Sequence, residues 1–363
     1  MKILYLVDVD LDRISGVSSK VLMQVKAWEK EGHKVYLLSI FSLSFFNIDG
    51  KRLTKSIIKR KTDGKLSFII NVYKSSILLK SLISDVEFDV VYMRYKIYDF
   101  FFKSAVKNKP IIAEMNTVYE RETKVRSYVS YIYYMLFKSL SFRTIDGFVC
   151  ISNEIKKITL QNKYESIVLA NGIDIKSYIP KRKQNNKRPM LVFIGSPNQV
   201  WHGVDKIIFL SSKLQQYDFH IIGMNGINTD NLVYHGYLST EEFLPILNKA
   251  DIGIGSLAMH RLGLDEASPL KSRLYLSYGL PIIYAYEDTD IKNDFSFTLK
   301  LSNKEDNIKN NINSIEKFVN SVFNNQNIQN EAKEFAKSIL DVEKKEKKRL
   351  QFMQNILLDK GKE

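Results

Sequence analysis

The chain has 363 residues, of which 45% are hydrophobic, and a formal net charge of +14. That length exceeds an ordinary single domain and suits two packed cores. No run approaches the ~20 apolar residues of a membrane span, and the one cysteine, Cys150, excludes an internal disulfide. A reducing cytoplasm is the compartment this favours. Cys150 lies in the apolar run GFVCIS and reads as a buried structural thiol. The positive field favours polyanions: nucleic acid, anionic lipid or phosphorylated small molecules.

The opening MKILYLVDVDLD reads as a buried first strand, its apolar run being too short for a secretion signal. HKVYLLSI, FDVVYMR, PIIAEMN, DGFVCIS and SIVLANG follow as strands of a first half. PMLVFIG, DFHIIGM, LVYHGY, ADIGIGSL and LPIIYAY form a second series. Helical periodicity lies between most of them. Apolar strands alternating with helices predict parallel sheets covered on both faces, here in an α/β chain of two doubly wound, Rossmann-like domains facing a cleft. The polar, proline-bracketed stretch PKRKQNNKRP, 180–189, reads as the linker. The expected domains are 1–180, 188–340, and a C-terminal helix over 341–363 packing back on the first. From about Asn330 to Leu358 the spacing predicts one long amphipathic helix or a pair.

Ligands of doubly wound sheets bind beyond the carboxyl ends of the strands. There, after ADIGIGSL, Ser268-Pro269 reads as a helix start, with serine as N-cap and proline in the first helical position. The helix runs to Tyr278 and Gly279 ends it as a left-handed cap. A helix N-terminus with Lys271 in its first turn suits a diphosphate. Glu266, just ahead, can accept hydrogen bonds from a sugar hydroxyl. An ordinary capped helix fits the same spacing.

This segment resembles the donor-binding signature of the family-4 retaining glycosyltransferases, which have the GT-B fold. Glu266 matches the first glutamate of that signature, Leu274 falls on the second, and Gly279-Leu280-Pro281 matches its G-x-P. Ser268, Pro269 and Lys271 match a known variant of the spacer. Elsewhere Gly16 resembles the family's glycine turn, and Gly32-His33 with Val35 resembles its GH-x-V. Asn171-Gly172-Ile173-Asp174, FIGSPNQVWHGVDKII, His235-Gly236-Tyr237 and Ala250-Asp251-Ile252 also fall in the family's order. The resemblance covers most of the chain.

The resemblance implies transfer of a sugar, with retention, from a nucleotide diphosphate sugar (UDP favoured) without metal or cofactor. It assigns Glu266 and Lys271 to catalysis. It assigns Gly16, Ser196, His202, Ser268, Pro269, Leu270 and Leu274 to donor binding. The leaving phosphate itself would take the acceptor proton, with Glu114 and His260 as candidates on the acceptor side. Two departures stand out. Ser196 and His202 replace a basic pair that holds the diphosphate, and Leu274 replaces the glutamate that receives the ribose hydroxyls. A missing charged hydrogen bond of this kind costs about 1.5–3 kcal/mol. Asp8-Val9-Asp10 and Asp288-Thr289-Asp290 have the metal-holding spacing of another transferase fold, but neither has that fold's context. No G-x-G-x-x-G follows the first strand, which speaks against a dinucleotide oxidoreductase.

The stretch KRLTKSIIKRKTDGK carries Lys51, Arg52, Lys55, Lys59, Arg60, Lys61 and Lys65 against Asp63. Downstream, Val125, Val129, Ile132, Leu136 and Leu140 fall on one helical face, which reads as core packing. Tyr128, Tyr131, Tyr134 and Lys138 take the other side. Basic residues interleaved with tyrosine suit an anionic lipid interface, and equally a plain solvated surface. The leading reading is a cytoplasmic enzyme, peripheral on the inner membrane face, glycosylating a glycan or a lipid-diphosphate-linked sugar in surface polysaccharide synthesis. A catalytically weak GT-B protein acting as a partner subunit is the alternative. Nucleic acid fits the charge, but no recognition motif accompanies it, and it is not an expected partner.

Overall fold

The computed structural model describes residues 1–13, 15–54, 67–96, 102–176 and 186–361. It divides into one unit of Met1–Leu169 with Lys345–Glu363, and a second of Ala170–Lys344. Lys55, Lys59, Arg60, Lys61, Asp63 and Lys65 lie outside the described residues, as does most of the expected linker.

In the first unit the elements run β1 (Lys2–Val7), α1 (Gly16–Lys30), β2 (Lys34–Ser39), β3 (Ser44–Phe46), α2 (Ser67–Leu82), β4 (Val90–Arg94), α3 (Phe102–Ala105), β5 (Ile111–Met115), α4 (Tyr119–Arg126), α5 (Tyr128–Arg143), β6 (Gly147–Cys150), α6 (Asn153–Ile155) and β7 (Ser166–Val168). The sheet order is β3-β2-β1-β4-β5-β6-β7, parallel except for β3. The short edge strand β3 was not expected. Its three residues, SFF, are too few to show a period.

The strands are buried on both sides because helices cover both faces, and Ile3, Tyr5, Val7, Val90 and Tyr92 are fully enclosed. Tyr5, Trp28 and Tyr92 pack with ring centroids 5.1–5.2 Å apart. Leu350, Phe352, Met353 and Ile356 complete this core from the C-terminal helix. Polar links fix that helix. Trp28 Nε1 donates to Glu346 (2.7 Å), and Arg349 donates to Glu346 (2.8 Å) and to the Tyr92 hydroxyl (2.6 Å).

The second unit runs β8 (Met190–Ile194), α7 (Val204–Lys213), β9 (Asp218–Ile222), β10 (Leu232–Tyr234), α8 (Thr240–Lys249), β11 (Ile252–Ile254), β12 (Glu266–Ala267), α9 (Leu270–Ser277), β13 (Ile282–Tyr284), β14 (Glu287–Asp288), β15 (Thr298–Lys300), α10 (Ile312–Val322) and α11 (Gln326–Phe335), while α12 (Val342–Lys360) belongs to the first unit from Lys345 onward. Its main sheet is all parallel in the order β10-β9-β8-β11-β13-β15. A π-helical stretch, Ala336–Leu340, separates α11 from α12. Among the described residues no helix is long and apolar enough to cross a membrane.

One expectation about α5 is reversed. Its buried face is Ser130, Tyr133, Tyr134, Ser141 and Phe142, while Ile132 and Leu136, expected in the core, are 43% and 71% exposed. Val125 belongs to α4. The tyrosine rings win the interior because each buries more apolar area than an aliphatic side chain. Tyr134 packs on Tyr119 at 5.2 Å, and Lys138 lies over the Tyr134 and Phe142 rings.

Candidate functional site

In the second sheet the order changes direction between β8 and β11. β9 and β10 extend one way from this pair, β13 and β15 the other. The loops leaving the two strands lie beyond their carboxyl ends, where open α/β sheets take ligands. After β8 the chain passes Gly195 and Ser196 into a 3-10 turn, Val200–His202, ahead of α7. After β11 it forms a second 3-10 turn, Met259–Leu262, then β12 and α9. The two loops are stitched together: Leu257 N–H donates to the His202 carbonyl and Ala258 N–H to that of Trp201, both at 3.2 Å. Gly223 has φ +98°, and a Cβ there would stand 2.2 Å from the Gly195 oxygen, so only glycine permits this backbone approach.

Lys271 and His202 meet beyond these strand ends. Lys271 Nζ lies 3.3 Å from His202 Nδ1 and 3.9 Å from the centre of the Phe193 ring. Among the described residues no carboxylate pairs with it. Burial pushes the Lys271 ammonium well below its ordinary value. Burial, and then the neighbouring Lys271, pushes His202 down to about 3, so its ring is neutral at physiological pH. If Lys271 donates to Nδ1, the imidazole proton sits on Nε2. A largely buried amine without an anion is costly, and a bound diphosphate would supply the missing charge.

The start of α9 differs from the local reading. Ser268 is not its cap. The Ser268 hydroxyl accepts the Asn171 backbone N–H at 2.8 Å, and the Ser268 carbonyl accepts from the Asn171 side chain at 2.5 Å. Pro269 becomes the N-cap and supplies no side-chain bond, so the first N–H groups of α9, from Leu270 and Lys271 onward, are not capped by a side chain. Gly279 follows the helix with φ +75°, the left-handed conformation expected of it. Leu274 is buried on α9. Glu266 is half-buried on β12, paired through its backbone with Glu287. Arg273, fully enclosed, donates to Asp288 at 2.7 Å and to Asp290 at 3.0 Å, so both carboxylates of Asp288-Thr289-Asp290 already hold a cation.

The remaining candidates are spread more widely. Ser196 is exposed beside Gly195. His260 Nε2 faces Glu305 at 2.7 Å, and Arg261 then His260 hold that carboxyl down at about 2. In the first unit the sheet changes direction between β1 and β4, and a cavity of about 420 Å³ opens beside the loops that follow them. Gly16 opens α1 behind the N-cap Ser15. Asp8, Arg94, Lys96 and Glu114 line the cavity, with Lys96 paired to Asp8 at 2.8 Å. Burial alone would raise the Glu114 carboxyl, but Lys20, Arg349 and Arg94 outweigh it and hold it at about 2. Lys20 bonds one Glu114 oxygen, and among the described residues the other, Oε2, has no hydrogen-bond partner. Local pattern could not reveal Arg349 or Phe193 as site neighbours. Only Lys20, one turn into the helix that Gly16 opens, carried a usable signal.

No protein-family model and no curated protein sequence matches this chain. Solved structures do. Sucrose-phosphate synthase of Thermosynechococcus elongatus superposes with a TM-score of 0.75 over 99% of this chain and 100% of its own, at 10% identity. The chain has the GT-B fold. Anabaena HepE, solved with UDP and glucose, matches with a TM-score of 0.68 over 98% and 100% of the two chains, at 12% identity. The lipopolysaccharide outer core galactosyltransferase WaaB matches with 0.67 over 99% and 100%, at 13% identity. These GT-B neighbours are glycosyltransferases, and HepE has also been solved with UDP-glucose.

Proposed function

We propose that this chain is a glycosyltransferase that moves a sugar from a nucleotide diphosphate sugar to a glycan or lipid-linked acceptor at an anionic membrane surface. The observation that carries the reading is Lys271. It is a largely buried amine without a carboxylate partner, beside a neutral His202 and the uncapped start of α9, at the switch point of a GT-B unit. A diphosphate there would gain a full charge, an Nε2–H and free backbone donors, which together stabilise the leaving group. Glu266 is the group we assign to orienting the sugar. The fold shared with HepE favours UDP as the nucleotide, and retention rests on the resemblance of Glu266–Pro281 to the family-4 signature. We propose no metal, because the leaving charge is met by side chains and backbone.

The second reading, a GT-B partner subunit with little catalysis, is favoured by one observation: Leu274 is buried where the signature has a carboxylate. Titration of the full chain with UDP, UDP-glucose and GDP-sugars by calorimetry tests the proposal. Binding of UDP-glucose followed by slow hydrolysis to glucose supports it. Absence of heat with every nucleotide sugar overturns it, and tight binding without hydrolysis or transfer selects the second reading.

A further inference from the structure

Among the described residues, a run of exposed apolar side chains lies on α5. Tyr128, Ile132, Met135 and Leu136 are 73%, 43%, 49% and 71% exposed. At 100° per residue they fall within about a third of the helix circumference. They stand opposite the face that Tyr133 and Tyr134 bury. Helix α2 packs alongside α5 and also places apolar groups in water, Ile70 and Ile77, seven residues apart, with exposed Lys74 between them. Monomeric proteins rarely leave such a stripe uncovered.

Charge says what covers it. Neither α2 nor α5 contains an acidic residue, while Lys74, Lys80, Lys138 and Arg143 are basic, and the chain carries +14 overall. Arg143 is exposed on the same side of α5 as the stripe. A helix with an exposed apolar face, tyrosine at its edge and cationic neighbours matches an interfacial helix lying in the headgroup region of an anionic bilayer. A second copy of the chain would bring the same positive surface against itself.

We infer that the exposed face of α5, with its neighbour α2, is the membrane-docking surface of this protein. The assignment deepens the membrane part of the proposed function and is independent of the donor pocket. The full chain is sedimented with phosphatidylcholine vesicles and with vesicles containing one third phosphatidylglycerol, without nucleotide. Wild type should bind the anionic vesicles and weaken as salt rises. The double variant Ile132→Asp/Leu136→Asp should lose roughly tenfold or more in partitioning while keeping its thermal midpoint, because both side chains are already exposed. Lys74→Glu/Arg143→Glu should remove the preference for phosphatidylglycerol.

Equal partitioning of wild type and the aspartate variant overturns the inference, as does absence of vesicle binding. A wild-type dimer in sedimentation equilibrium that Leu136→Asp dissociates would also overturn it, by assigning the face to a second copy. UDP affinity, measured on the same samples, reports separately on the donor pocket.

Discussion

Replacing Lys271 with methionine keeps most of the side-chain volume and removes the cation. Among the described residues this amine contacts His202 Nδ1 and the Phe193 face and no carboxylate, and burial holds its pKa below the ordinary 10.5. Unfolding therefore takes up a proton at intermediate pH, and wild-type stability rises with pH toward 10.5. Lys271→Met lacks that slope. It should be more stable than wild type, with an advantage that is largest at low pH and gone once pH exceeds about 10.5. Binding should move the other way. A charge-assisted hydrogen bond to a phosphate contributes about 1.5–3 kcal/mol, which corresponds to a UDP affinity weaker by roughly ten- to a hundredfold. Calorimetry of UDP binding in buffers of different ionisation enthalpy checks both parts. Wild type should take up a proton from the buffer on binding, and Lys271→Met should not. A variant that binds UDP as tightly as wild type, or that keeps the wild-type slope of stability with pH, would refute the placement of the diphosphate at Lys271.

Leu274→Glu should tighten UDP binding by roughly tenfold if the ribose lies over α9, and should lower the melting temperature of the free protein because a carboxylate then replaces a buried leucine; unchanged affinity would move the ribose elsewhere. Gly223→Ala forces a Cβ against the Gly195 oxygen at φ +98°, so it should cost roughly 2 kcal/mol or more in urea unfolding and weaken UDP binding through the displaced loop. Arg349→Met leaves Glu346 and Glu114 short of their buried counter-charge and should destabilise the first unit by about 3–5 kcal/mol, while a second-unit signal, UDP binding by Lys271, survives.

The eleven parallel strands expected from the sequence are present, because each is a short, largely apolar stretch of three to six residues with turn or polar residues on both sides. Gly279 was legible for a similar reason: a helix end followed by Leu280-Pro281 leaves few conformations open. Ser268 was misread because Ser-Pro is a good local cap and the rule cannot see Asn171, which lies 97 residues away and takes the hydroxyl. The faces of α5 were exchanged because the helix is apolar nearly all round. Periodicity finds its aliphatic stripe but cannot tell that larger tyrosine rings fill the interior opposite. Two of the cations around Glu114, Lys20 and Arg349, come from α1 and from the C-terminal helix, more than 90 residues away in either direction, so no window of sequence contains them.

The last core residues of the first unit, Leu350, Phe352, Met353 and Ile356, are synthesised after the whole of Ala170–Lys344. The second unit is continuous in sequence and can close its core as soon as it has left the ribosome. The first unit, begun earlier, must wait with Trp28 and Glu114 short of their partners until Glu346 and Arg349 arrive. The second unit can therefore complete its core before the first, the reverse of the order in which the two are begun.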